Sequence, residues 1–147
     1  MIQITILAVV LLAAVAVGVL LRRHDGKVRA GAGIDVSESA RAELLAAVGV
    51  TGAGPTVLHF SAEWCGPCAA VRRVVAKVTG QLAESPQPPQ DIEVDIDAEP
   101  ALARELNVLS LPTTFVFDTE GRERFRISGV PKDSDLHSAL EPLTAAA

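Results

Sequence analysis

The sequence predicts an α/β domain built on a mixed sheet and preceded by one transmembrane helix. Three observations carry this expectation. A strand-like run, Thr56-Val57-Leu58-His59-Phe60-Ser61, feeds into Trp64-Cys65-Gly66-Pro67-Cys68, and a helix-like run from Ala69 to Leu82 leads out. A second strand-like run, Ile92, Val94 and Ile96, alternates with Glu93, Asp95 and Asp97, the two-residue period of a strand with one polar face. The first 21 residues carry no charged side chain and are almost wholly apolar.

That N-terminal run is read as a membrane span over residues 1–21. Twenty helical residues reach about 30 Å, the thickness of a bilayer core. A buried core helix would show polar positions at a helical period, and here only Gln3 and Thr5 interrupt the start. A cleavable signal peptide wants a basic leading region and a shorter apolar stretch. This run opens without Lys or Arg and ends directly in Arg22-Arg23. Arg22, Arg23, Lys27 and Arg29 follow the span, so the positive-inside rule places the C-terminal domain in the cytoplasm. Exposure on the exported side is the alternative.

Residues 22–35 form a basic, glycine-rich linker, and residues 36–147 form the domain. Asp35-Val36-Ser37-Glu38 opens a helix with cap-like chemistry. Leu44, Leu45 and Val48 give it an apolar face, and Gly49 ends it. After a turn at Gly52-Ala53-Gly54-Pro55, the strand 56–61 is apolar enough to be buried on both faces, as at the centre of a mixed sheet. Val71, Val74, Val75, Val78 and Leu82 form a helical stripe that packs on that sheet. A proline-rich loop, Ser85 to Gln90, precedes the alternating strand, and Pro100 to Leu106 form a short helix. Two strands, about 114–118 and 123–128, flank a turn at Asp118-Thr119-Glu120-Gly121. A last helix runs from about 132 to 144, with Pro142 disturbing its final turn. Residues 28–34 supply at most a short edge strand.

From Ala30 onward nine Lys and Arg face seventeen Asp and Glu, a net charge of −8. Such a domain is a poor nucleic-acid binder, because phosphate contacts need Lys and Arg. The basic segment after the span suits anionic lipid head groups. Two cysteines are too few for an exported domain stapled by disulfides.

Those two cysteines carry the chemistry. Three positions apart at a helix start, Cys65 and Cys68 can bond to each other reversibly. A helix N-terminus offers unpaired N–H groups and a positive dipole end to the first of them. Both stabilise a thiolate, the species that attacks a disulfide. Cys65 is therefore the nucleophile and Cys68 the resolving thiol. A structural disulfide and half of a zinc site are the competing readings. Zinc wants four ligands, and no second cysteine pair exists. Neither a metal nor a cofactor is implied. Pro67, with Gly66, rigidifies the turn between the cysteines, since proline is tolerated where the N–H is unpaired anyway. Trp64 is either a flat apolar wall beside the disulfide or a packing residue.

The pattern of strand, Cys-Gly-Pro-Cys, helix, Leu111-Pro112-Thr113-Thr114 and a final hairpin resembles the thioredoxin family over roughly residues 35–147. The resemblance implies a three-layer α/β/α fold and a protein-disulfide reductase. It implies protein disulfides as substrates, with thioredoxin reductase or an equivalent as upstream reductant. It makes Pro112 the family's cis-proline facing the cysteines, and Leu111 the residue whose backbone pairs with substrate. Gly-Pro between the cysteines marks the reducing end of the family.

Two positions depart from the family pattern. His59 stands where a buried Asp is usual, six residues before the first cysteine, and Glu93 stands where a Lys is usual. A neutral His59 could take the proton of the resolving thiol, and a His59–Glu93 pair would reverse the polarity of the usual Asp–Lys pair. A core histidine with a satisfied hydrogen bond is the competing reading. Two other functions stay open: an exported reductase serving disulfide reduction or cytochrome maturation, and a non-catalytic binding or holdase module.

Overall fold

The computed structural model describes residues 34–145 together with Val15. The expected membrane span, most of the linker and any strand at 28–33 lie outside the described residues. Among the described residues no helix is long and apolar enough to cross a membrane. Val36–Ala147 forms one compact unit.

Its elements are α1 (Ile34–Ala47), β1 (Thr56–Ser61), α2 (Cys68–Gln81), β2 (Gln90–Asp95), α3 (Pro100–Glu105), β3 (Thr113–Phe117), β4 (Glu123–Ser128) and α4 (Asp133–Thr144). The four strands make one sheet in the order β2-β1-β3-β4. β1 runs parallel to β2, while β1–β3 and β3–β4 are antiparallel. The sheet is therefore mixed, and β1 lies inside it with all six residues buried.

Alternation along the strands divides the core in two. Leu58 and Phe60 of β1, Val94 of β2 and Phe115 and Phe117 of β3 pack with Leu45 of α1, Leu102 of α3 and Leu106 at its end. Val57 and Val116 point the other way, onto Val71, Val75 and Val78 of α2 and Leu136 and Leu140 of α4. Two helical layers thus sandwich the sheet, because each strand presents a different apolar set every second residue. His59 shares the parity of Val57, and Thr114 that of Val116. Both face the α2–α4 layer.

The helix ends follow local chemistry. At the end of α1, Gly49 has φ of 102°. Gly49 N–H donates to Ala46 O and Val50 N–H to Leu45 O, both at 3.0 Å, the paired bonds of a Schellman cap. α2 begins one residue earlier than the sequence predicts, at Cys68, with Pro67 as its N-cap. Pro142 does not break α4, which continues to Thr144. The proline loses one bond, to the carbonyl four residues back, and only two helical residues follow it.

Candidate active site

Cys65 and Cys68 are joined by a disulfide with S–S of 2.03 Å and Cα–Cα of 5.5 Å. The turn that brings them together is held by Cys65 N–H donating to Ala62 O at 3.1 Å and Cys68 N–H to Cys65 O at 3.3 Å. Cys65 lies in that turn, just before the helix instead of within its first turn. It is half-buried, whereas Cys68 is 1% exposed. The first cysteine is thus partly open to solvent and the second is closed off from it. Cys68 Sγ lies 3.9 Å from Phe60 O. Gly66 and Pro67 are exposed between them.

The Leu111–Pro112 peptide bond is cis. Thr113, next in sequence, pairs with Phe60. That register sets the loop at the end of β1 from which the cysteine turn departs. Gly129 N–H donates to Pro112 O at 2.8 Å, which draws Val130 alongside. Trp64, Leu109 and Val130 are exposed at 70%, 86% and 45%. Trp64 directly precedes Cys65, Leu109 lies on the loop that leads into the cis-proline, and Val130 follows Gly129, which is bonded to that proline. Trp64 is also tied down, because its Nε1–H donates to Asp97 Oδ2 at 3.0 Å.

The polar pair behind the disulfide differs from the expected one. Register does place His59 opposite Glu93. The carboxylate His59 reaches, however, is Asp91, with Nε2 at 3.1 Å from Oδ1. Glu93 is taken by Arg72 of α2, whose Nε donates to Oε1 at 2.7 Å. The guanidinium arm spans from helix to strand and offers a permanent charge, so it outcompetes the imidazole. Burial works against the charge of Glu93. The Ser61 hydroxyl and Arg72 outweigh it and hold the carboxyl below its ordinary range. His59 Nδ1 is buried without a hydrogen-bond partner, and so is Thr114 Oγ1.

Asp91, Arg72 and Asp97 are the residues that sequence reasoning missed. Asp91 had a signal, since it lies two residues before Glu93 and so shares its face of β2. Asp97 had none, because its place beside Trp64 depends on the loop after β2. Among the described residues no group of three or more His, Cys, Asp or Glu could hold a metal ion.

The family model described as Thioredoxin matches residues 38–142. A thioredoxin of Aspergillus fumigatus is 40% identical over 73 residues, which are 50% of this chain and 63% of that one. Thioredoxin H2 of Arabidopsis thaliana is 38% identical over 89 residues, 60% of this chain and 62% of that one. The chain thus spans somewhat less than two thirds of the length of these relatives. Among solved structures, a mutant thioredoxin from Halobacterium salinarum superposes with a TM-score of 0.57 at 25% identity, covering 66% of this chain and 80% of that chain.

Proposed function

The chain belongs to the thioredoxin family, and on that premise we propose that it is a protein-disulfide reductase tethered to a membrane by residues 1–21. The observation that supports the chemistry is the Cys65–Cys68 disulfide with Cys65 partly exposed and Cys68 buried. In the reduced enzyme, the Cys65 thiolate attacks a substrate disulfide and forms a mixed disulfide. Cys68 then attacks Cys65. The Cys65–Cys68 bond forms, the bond to substrate breaks, and substrate leaves as a thiolate. Two electrons pass to the substrate, and an upstream reductant of the thioredoxin-reductase kind restores the dithiol.

The start of α2 supports the first step, because no acidic side chain lies in its first turn to oppose a thiolate. The second step needs a proton acceptor for a buried thiol. His59 fills that role in this reading, from the same sheet face as the α2 stripe that begins at Cys68. Leu111 and Pro112 offer the backbone of the cis loop to an extended substrate. Trp64, with Leu109 and Val130, provides the apolar contact. The basic residues after the span favour a cytoplasmic domain.

Insulin reduction is the direct test. The full-length chain, supplied with dithiothreitol, is expected to precipitate the insulin B chain well above the reductant background. Activity at background would leave a binding or holdase module as the reading.

A further inference from the structure

We propose that Asp91 is a positioning residue for the resolving step, holding His59 in the tautomer that leaves Nδ1 free to take the Cys68 proton. This rests on the reading of His59 as proton acceptor. A carboxylate only accepts hydrogen bonds. The 3.1 Å contact between His59 Nε2 and Asp91 Oδ1 therefore puts the imidazole proton on Nε2. The other nitrogen, Nδ1, is then a bare lone pair. It is buried and has no partner among the described residues.

Several observations make this a site and not a packing accident. A buried ring nitrogen without a hydrogen bond is costly and rare. Here the second such atom, Thr114 Oγ1, belongs to the residue opposite His59 in the β1–β3 register. Both side chains face the layer that contains α2. Cys68 begins the α2 stripe of Val71, Val75 and Val78 on that layer, and its Sγ contacts the carbonyl of the residue after His59.

Asp91 supplies the outward half of the arrangement. The His59 side chain is 2% exposed and that of Asp91 is 34% exposed, on the strand at the end of the sheet order. One ring nitrogen thus faces the protein interior and the other a solvent-reachable carboxylate. When Nδ1 takes the thiol proton, the imidazolium that forms is stabilised by Asp91. The surrounding charges are few. β2 contributes Asp91 and Glu93, and α2 contributes Arg72, already paired to Glu93. β3 contributes uncharged Thr114, and α4 packs Leu136 and Leu140 against this face.

The step balances without any further reactant. The proton moves from Cys68 Sγ to His59 Nδ1. The Cys68–Cys65 bond forms, the substrate sulfur leaves with the electron pair, and the proton passes to it or to solvent.

The test loads Cys65 of the reduced full-length chain with a chromogenic nitrothiobenzoate group and follows its release by Cys68. The His59 tautomer is read by nitrogen NMR on histidine-labelled protein. Asp91→Asn offers a donor as well as an acceptor, so it no longer enforces the Nε2–H form. We expect release to slow about tenfold, less than the roughly 10²–10⁴-fold of removing a general base outright, because His59 itself remains, while Cys65 loading is unchanged and the Nδ1–H tautomer becomes populated. Asp91→Glu should restore both readouts. An unchanged rate and tautomer in Asp91→Asn, alongside slow release in His59→Ala, would overturn the role of Asp91 and spare that of His59. Release at the wild-type rate in His59→Ala would remove the base itself, and the positioning role with it.

Discussion

The Trp64 indole N–H bonds Asp97 Oδ2 at 3.0 Å while the ring itself stays 70% exposed. An exposed aromatic ring beside a reactive sulfur is useful only if its position is fixed, and one hydrogen bond fixes it here. The acceptor is set in turn. Asp97 N–H donates to Asp95 Oδ1 at 2.8 Å, and Ile96 N–H donates to Ser61 O at 2.9 Å. The loop after β2 is thereby drawn to the end of β1.

Asp97→Ala should release the ring. Trp64 is the sole tryptophan, so its fluorescence anisotropy reports the change without interference and should fall. KM for a protein disulfide should rise roughly two- to tenfold, matching about 0.5–1.5 kcal/mol for one net hydrogen bond. The rate with a small aromatic disulfide should hold, because the sulfur chemistry is untouched. Unchanged anisotropy would mean that packing, not Asp97, holds the ring.

Asp118 should govern acid stability. Its side chain is 6% exposed and sits at the end of β3. It accepts from the backbone N–H groups of Glu120 at 3.1 Å and Arg122 at 2.9 Å, and from Arg122 Nε at 3.0 Å. Burial opposes its charge, but these bonds, with Arg124, prevail and hold its carboxyl below the ordinary aspartate range. The folded state therefore releases this proton more readily than the unfolded chain. The stability Asp118 contributes is complete above the ordinary aspartate value of about 4, and it is lost as pH falls toward and through the lowered value. Asp118→Asn should cost about 1–3 kcal/mol at neutral pH, and its melting temperature should fall less than that of wild type between neutral and acidic pH. Parallel losses in the two proteins would assign the acid sensitivity elsewhere.

The proposed cytoplasmic placement rests on the four basic residues that follow residue 21. An alkaline phosphatase reporter fused after Ala147 should stay inactive, because it folds only after export. Strong phosphatase activity would move the reductase to the exported face.

The order of elements is legible in the sequence because each carries a strong local signal. β1 is a six-residue apolar run, β2 alternates, and α2 repeats valines at helical spacing beside the only two cysteines. The partner of His59 is not legible in the same way. Register alone sets Glu93 opposite His59, and that much is correct. Which carboxylate the ring meets depends on Arg72, an arm from another element that binds Glu93 at 2.7 Å and leaves Asp91 to the imidazole. Competition among four side chains on three elements leaves no trace in the period of any one of them. The tie between Trp64 and Asp97 is hidden for a similar reason, since it joins two loops 33 residues apart in sequence.

The central claim, that Cys65 attacks and Cys68 resolves, is tested most directly by trapping. The full-length Cys68→Ser chain, reduced and then mixed with a protein disulfide, should accumulate a mixed disulfide through Cys65, visible by mass spectrometry and reversed by reductant. Cys65→Ser should accumulate none, because its remaining thiol is buried. A covalent complex that forms with Cys65→Ser and not with Cys68→Ser would reverse the two roles and contradict the account.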